Sequence, residues 1–565
     1  MRLSDSLYKE FEAIVGPQNI SRDTCVLETY RCMASQSSAH YGPYKQRTPW
    51  AQAVLLPGST EEVQKIVQLC NREGIHFKAS STFWSAQGFI SSDYAVQIDL
   101  RRMNKVQIDP DNQTALIEPY AIAAVIQAEA MKHGYTCNIQ GVGGSSSNLA
   151  STAGWQGPGP SSIFTGTNYD NLMACEWVLP DGELLRTGSW GAGDGLFCGE
   201  GPGPSLRAIV RGGVGTAGDM GICTRMAIKL APWPGPDHLK TKGKISSLKA
   251  DLPENFKCYT LCWPNWEKWA EGVHYLHENR LVYTGHRQFN MFGCDIKGAM
   301  VKILSDENGQ LCDLERYLND PEVQAATKDM RCEIQITLAG MTPKDMEFKE
   351  AAIDEILRRT DGHRSQFMLL PAIHDWALLY FLRMGRKNMN YILCGAYEGH
   401  FGLARTNYFL AASLVEEAGA LKKKYEEEGT FMAKVGGNSS MGGLSGIGGG
   451  GGVSWEFFAH FDSYEDESVK GVCEYFKVTN KWMADKGLGG CMGKTNEGSR
   501  NPEGYDRTQE EMNKAFQFAP QPGIFVYQWK VREMVNPQHL TGTYYKTLEP
   551  SAVRKDVEGA ASIFI

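Results

Sequence analysis

Residues 141–170 read GVGGSSSNLASTAGWQGPGPSSIFTGTNYD and contain almost no large aliphatic side chain. They interrupt a chain that otherwise alternates strands with amphipathic helices. Upstream, LLPGSTEEVQKIVQLCNREGIHF carries a capping box at Ser59 and Glu62, apolar residues at helical spacing (Val63, Ile66, Val67, Cys70) and a stop at Gly74. AVQIDL alternates Val96, Ile98 and Leu100, and TALIEP extends the strand pattern. A second helix is expected at about 121–133, with Val125, Ile126 and Met131 on its apolar side and Gly134 at its end. Downstream, ACEWVLPDGELLRTG reads as a hairpin turning at Pro180-Asp181-Gly182. A flexible linker is the competing reading of 141–170, but the stretch lies inside an alternating domain, where long unpatterned loops usually carry function.

The chain has 565 residues, enough for two to four domains. A hydrophobic fraction of 42% and a charged fraction of 22% place it among globular proteins with a large core. The formal charge of −8, without a basic block, argues against a nucleic-acid partner. No apolar run is long enough to span a bilayer, and the charged start MRLSDSLYKEFEAIVG lacks a secretory core, so a cytoplasmic protein is expected. Fifteen cysteines occur without a CxxC motif, Cys258 and Cys262 being the closest pair. That spacing disfavours a disulfide framework, structural zinc or iron–sulfur ligation, and no metal site is expected.

APWPGP at 231–236 marks a change of pattern. Beyond it, CEIQITL alternates Ile334, Ile336 and Leu338, and a helix opening at Thr342-Pro343 buries Ile353, Ile356 and Leu357 before Gly362. VSWEFFAHF alternates Val453, Trp455 and Phe457 and leads into a helix over about 465–486. The glycine run GGLSGIGGGGG at 442–452 reads as a flexible loop, with a tight backbone passage as the alternative. The segments are therefore an N-terminal helical segment (1–50), an alternating domain (51–235), an antiparallel sheet covered by helices (236–490) and a C-terminal segment (491–565).

Three small-residue stretches could cradle an anion through successive backbone N–H groups and hydroxyls. They are KASSTFWSAQG (78–88), residues 143–154, and GTAGDMGICT (215–224). One such loop is commonly a plain turn, but three within one domain point to a shared ligand. Neither GxGxxG after a first strand nor GxxxxGK[ST] occurs, which argues against Rossmann and P-loop sites.

Ala53 to Pro234 resembles the FAD-binding domain of the vanillyl-alcohol oxidase and p-cresol methylhydroxylase family, with LLPGSTEEVQKIV, CEWVLPDGELLRTG and GDMGICTRMAIKLAP as the landmarks. Glycolate-oxidase-like D-2-hydroxy-acid dehydrogenases share them, and ADKGLGGCMGKT resembles a late glycine-rich segment of the phenol oxidases. The resemblance implies an α+β fold: a two-subdomain FAD-binding domain of the p-cresol methylhydroxylase type, an antiparallel-sheet cap over the flavin ring, and a C-terminal segment returning to the site. It would place Ser80, Ser81, Thr82, Phe83, Trp84 and Ser85 at the pyrophosphate, and Gly144, Ser145, Ser146 and Asn148 along the ribityl chain and ring. Gly221 and Ile222 would meet the adenosine half. Lys494 matches the family's arginine, a cation for the negative charge of reduced flavin. The chain departs from the family where Cys491-Met492-Gly493 replaces a tyrosine, where Asn496 replaces a histidine, and at Asp170, which matches an aspartate near N5 only across a gap. The 78–88 loop has no histidine for a covalent link, so non-covalent FAD is expected.

A base would ease hydride loss from a hydroxyl-bearing carbon, and His374 and His400 are the candidates carried forward, with Arg405 and His460 nearby in the chain. The expected function is an FAD-dependent oxidoreductase that moves hydride from an alcohol or a para-substituted phenol to flavin N5. A D-2-hydroxy-acid dehydrogenase feeding an electron-transfer flavoprotein is one alternative, and a catalytically silent flavin-binding subunit is another. The partners expected are a small-molecule substrate, with room for an electron-acceptor protein and a homodimer.

Overall fold

The computed structural model describes residues 3–31, 49–83, 88–90, 92–138, 143–154, 157–193, 220–242, 250–286, 330–366 and 407–430, the strands 396–402, 440–447 and 450–462, and scattered positions elsewhere up to 541. The first unit is a four-stranded sheet in the order β1-β2-β4-β3. Its strands are β1 (Ile20–Ser21), β2 (Ala53–Leu55), β3 (His76–Ser80) and β4 (Ala95–Asp99). β2 and β3 both run parallel to β4, and β1 closes one edge antiparallel to β2. Helix α3 (Thr60–Glu73) is capped by Ser59, whose hydroxyl accepts from the Glu62 N–H, and it ends at Gly74, whose φ of 64° suits a left-handed cap. Its stripe of Val63, Ile66, Val67 and Cys70 is fully buried with Phe77, Val96 and Ile98. Each such side chain contributes about 1.5–3 kcal/mol. The N-terminal segment contributes α1 (Asp5–Val15) and α2 (Thr24–Thr29), supplies β1 and buries Phe11 in the same core.

The second unit is an antiparallel sheet in the order β5-β6-β10-β8-β9. Its strands are β5 (Val106–Asp109), β6 (Thr114–Ile117), β8 (Leu172–Val178), β9 (Leu184–Arg186) and β10 (Ile222–Lys229). The short β7 (Tyr135–Thr136) pairs with β11 (Ala231–Pro232). Helix α4 (Ala123–Met131) corrects the expected apolar face: Val125 is 43% exposed, and Gln127 is buried in its place. The reason is a hydrogen bond, since Gln127 Nε2 donates to the Leu382 carbonyl at 3.1 Å. A hydropathy pattern scores that residue as outward-facing.

The third unit is a seven-stranded sheet in the order β15-β12-β14-β13-β17-β18-β16. It comprises β12 (Phe256–Trp263), β13 (Thr284–His286), β14 (Cys332–Ala339), β15 (His363–Arg364), β16 (Ala396–Gly402), β17 (Ser440–Ile447) and β18 (Gly450–Asp462). One face, with Leu261, Ile334, Ile336 and Leu338, packs on Trp269, Ile353 and Tyr408. Those three come from helices α9 (Trp266–Glu278), α10 (Pro343–Arg359) and α11 (Tyr408–Glu427) respectively, the short helices α5 (Asn148–Gly154), α6 (Ser162–Thr165), α7 (Asn168–Asn171) and α8 (Gly188–Ala192) belonging to the second unit. The glycine run expected as a loop lies mostly in strands: Gly450, Gly451 and Gly452 pair with Ile447, Gly446 and Ser445. Backbone ladder bonds need no side chain, so composition alone misjudged it.

A buried carboxylate joins the first two units. Glu176, on β8, has no exposure. It accepts from Thr60 Oγ1 at 2.8 Å, from Arg225 Nε and Nη2 at 2.7 and 2.8 Å, and from Arg186 Nε at 2.9 Å. Around it, Asn71 Nδ2 donates to the Pro180 carbonyl and Gln64 Nε2 to the Gly182 carbonyl, so the hairpin turn rests on α3. Burial works to raise the Glu176 carboxyl, but the bonds from Arg225, Thr60 and Arg186 outweigh it and hold the group below its ordinary value. Its stabilising contribution is therefore complete above the ordinary carboxylate range and is lost as pH falls through the lower folded value. Glu176→Ala should cost about 2–3 kcal/mol, less than for a wholly buried pair because both arginines reach solvent. Urea unfolding at neutral pH and in mild acid checks this. A loss below about 0.5 kcal/mol would show that the clasp is incidental.

Candidate functional site

At the carboxyl end of the parallel strands, the chain leaves β3 into residues 81–90. Gln97, buried on β4, holds both ends of this loop, donating from Nε2 to the Lys78 and Gly88 carbonyls at 3.0 Å each and accepting from the Ile90 N–H. Gly88 lies so close to Ser80 that a Cβ there would meet the serine hydroxyl at 2.4 Å. Ser81 is buried, and Ser80, Thr82 and Phe83 are half-buried. Phe83 takes a φ of 52°, a strained conformation for an aromatic residue, and its ring packs between Tyr30 and Phe89 at 5.3 and 5.1 Å. Tyr30 donates to Asp99 Oδ2 at 2.7 Å, which ties the N-terminal segment to the loop. Trp84 and Ser85 lie outside the described residues.

The stretch without aliphatics is mostly buried. Asn138 is its hub: Nδ2 donates to the Gly157 carbonyl and to Asn168 Oδ1, both at 2.7 Å, while Oδ1 accepts from Ser162, Ser161 and Thr165 at 3.0, 3.2 and 3.4 Å. Asn148 Nδ2 donates to the Asn138 carbonyl at 2.8 Å. These bonds organise three short helices, α5 (Asn148–Gly154), α6 (Ser162–Thr165) and α7 (Asn168–Asn171). Gly157 has a φ of +55°, and a Cβ there would meet Asn168 Nδ2 at 2.4 Å and Ser151 Oγ at 2.5 Å. Of the residues expected to line a ligand, Ser146 and Asn148 turn their side chains inward, Ser146 donating to the Gly143 carbonyl. Gly144 is buried, with its carbonyl taken by the Ala124 N–H, and Ser145 is half-buried.

Gly221 and Ile222 enter β10 beside the end of β8. Gly221 has a φ of +100°, and a Cβ would come within 2.2 Å of the Val178 carbonyl. Ile222 shares an apolar core with Phe77 and Leu100. Of the expected cradle segments, the one at 143–154 contributes α5, which packs on β10.

The cap sheet turns its other face towards this unit. Phe256, Cys258 and Tyr283 share an apolar cluster with Ile126, Cys137 and Trp233. The Gly285 N–H donates to the Pro160 carbonyl at 2.8 Å, and Phe164 stacks on Tyr283 at 4.9 Å. On that face lie Cys258, Thr260 and Cys262 of β12, Glu333, Gln335 and Thr337 of β14, and Thr284 and His286 of β13, all buried. Burial pushes the Cys137 and Cys258 thiols up to about 12, so both stay protonated. The alternation in CEIQITL carries this polar face, with Glu333, Gln335 and Thr337 set between the apolar residues. His286 and Asn138 had no such signal.

Of the three cap and C-terminal candidates, the described residues include His374 and the backbone at position 400. His374 pairs with its neighbour Asp375 at 3.1 Å, with a third of its side chain exposed. Position 400 sits on the edge strand β16 opposite Phe458, in the same pleat phase as position 286 by the register of β17 and β18. Lys494 lies outside the described residues. No cluster of metal-ligating side chains occurs among the described residues, and no described helix is long and apolar enough to cross a membrane.

Residues 51–188 match the FAD binding domain family. This segment is an FAD-binding domain. The chain is 25% identical to an uncharacterized FAD-linked oxidoreductase of Mycobacterium tuberculosis over 224 residues, which is 39% of this chain and 45% of that protein. It is 25% identical over 245 residues to the flavoprotein subunit of 4-cresol dehydrogenase (hydroxylating) of Pseudomonas putida, covering 40% of this chain and 42% of that protein. The matches thus span less than half the length of these relatives. The fold is that of p-cresol methylhydroxylase, whose substrate-bound crystal structure superposes with a TM-score of 0.66 at 16% identity, over 95% of each chain.

The residues present suit FAD. A polyphosphate takes N–H donors from tight small-residue backbone, and at Gly88, Gly157 and Gly221 a Cβ would collide with a neighbouring side chain or carbonyl. Gly157→Ala is expected to lower the 450 nm to 280 nm absorbance ratio of purified protein several-fold. Asn138→Ala should cost about 2–3 kcal/mol as five partners lose their bond, with the same loss of flavin. Full flavin content in either variant would count against the hub.

Proposed function

We propose that the chain is an FAD-dependent oxidoreductase that removes hydride from the hydroxyl-bearing carbon of an alcohol. The observation that supports it is the buried polar face of the cap sheet laid against the FAD-binding domain's Asn138-centred segment. When bound, FAD supplies a two-electron acceptor at N5. The chain excludes water from that face, holds the substrate against it, and provides a group to take the hydroxyl proton. His286, 2% exposed, is the residue proposed for that task at its imidazole nitrogen, with His400 second because it shares the pleat phase. His374 is left without a role by its exposed pairing, and Lys494 remains the proposed cation for reduced flavin. The related 4-cresol dehydrogenase acts on a phenol, and a phenol remains the second substrate class here. A 2-hydroxy acid is disfavoured, since among the described residues that face carries no Lys or Arg and does carry buried Glu333.

Purified protein should be yellow, and acid precipitation should leave the flavin in the supernatant. Anaerobic addition of substrate should bleach the 450 nm band. His286→Asn should slow bleaching by ~10²-fold or more at neutral pH with flavin content unchanged. Colourless protein that FAD cannot reconstitute would end this reading, and bound flavin that no alcohol or phenol bleaches would leave a silent subunit.

A further inference from the structure

The loop that leaves β3 is held by a helix that precedes the segment matching the FAD binding domain family. That match begins at residue 51, whereas α2 and its C-cap Tyr30 end well before it. Leu27 of α2 shares an apolar cluster with Val54, Ala95 and Ile90, and Tyr30 packs against the same cluster. Ile90 lies where the loop ends. Near the loop's start, the Tyr30 ring meets Phe83 edge-on, with centroids 5.3 Å apart and planes at 76°. One short helix therefore touches both arms of the loop.

Tyr30 is itself fixed from the carboxyl end of β4. Its hydroxyl donates to Asp99 Oδ2 at 2.7 Å and accepts from Arg101 Nη2 at 3.1 Å. Asp99 is fully buried, and it also accepts from the Arg101 N–H at 2.9 Å and from Arg101 Nε at 2.7 Å. Burial, helped by the bond to Asp99, raises the Tyr30 hydroxyl above its ordinary value, so it stays protonated and keeps donating.

Phe83 is what this arrangement holds. Its φ of 52° lies in the left-handed region, where a residue other than glycine is disfavoured by a factor of ~10 or more unless its surroundings enforce it. Here the ring is trapped between Tyr30 and Phe89. Glycine takes either sign of φ with similar ease. Three aromatic side chains thus hold a conformation that one glycine would adopt unaided. The difference is that the aromatic version ties the shape of the loop to α2.

We propose that Tyr30 is a positioning residue for FAD, holding the loop through Phe83 in its binding conformation, so that the N-terminal segment sets cofactor affinity. This rests on the FAD-dependent reading above and on the expected place of the diphosphate at residues 80–85. A loop that is competent only part of the time weakens apparent affinity by that fraction. By linkage, bound FAD must in turn steady α2.

The test is equilibrium dialysis of the full chain against graded FAD, with Tyr30→Leu made in the parent and in a Phe83→Gly background. In the parent, Tyr30→Leu should raise the Kd for FAD by ~10-fold. Tyr30→Phe, which keeps the ring but loses the bond to Asp99, should raise it by ~3-fold. With glycine at 83 no strained side chain needs holding, so Tyr30→Leu should change Kd by less than ~2-fold. Amide hydrogen exchange over residues 24–30 of the parent should slow when FAD is added. Equal losses in both backgrounds, no loss from either Tyr30 variant, or exchange at 24–30 indifferent to FAD would each overturn the proposal. A merely structural tyrosine predicts a lower melting temperature in both backgrounds with the Kd for FAD unmoved. Colourless parent protein that FAD cannot reconstitute refutes the FAD-dependent reading itself, whereas yellow protein whose Kd ignores Tyr30 refutes only the positioning role.

Discussion

A stretch of chain that lacks aliphatic side chains cannot be held in place by hydrophobic burial, so its backbone has to be held by hydrogen bonds. In this protein that constraint falls on Asn138. One side chain satisfies the Gly157 carbonyl, Asn168 and three hydroxyls, and its own carbonyl anchors Asn148. Inside a low-dielectric interior such a network is rigid when complete and costly when broken. The turn at 143–147, the short helices after it and the contact with the cap sheet at Pro160 all depend on it.

Glu176 plays the complementary part between the two halves of the FAD-binding domain. Neither unit is closed without the other: α3 needs the hairpin carbonyls for its polar residues, and the hairpin's carboxylate needs Thr60 and the two arginines. The junction of the two units is therefore set by a polar clasp and a shared apolar core together.

The readable parts of the sequence were those in which one residue type serves one local purpose. The capping serine, the left-handed glycine and the apolar stripe of α3 all lie within one helix, and all appear as expected. The Pro180-Asp181-Gly182 turn is equally local: the Leu179 N–H donates to the Glu183 carbonyl. Failures arose where a distant partner decided the outcome. Gln127 is inside because of Leu382, 255 positions away in the chain. The glycines at 450–452 are strand residues because β17 pairs with them. Ser146 and Asn148 were expected to face a ligand but are occupied in building the turn.

The sequence by itself determined the alternating domain, its three small-residue loops and the apolar half of the cap sheet, because periodicity and turn chemistry act over a few residues. Only the tertiary structure decided which polar groups are buried and what they face. Thr260, Thr284, Gln335 and His286 come from three strands separated by up to 75 residues, and only strand register makes them neighbours. Burial of a polar atom is a property of what packs over it, and no local pattern encodes that.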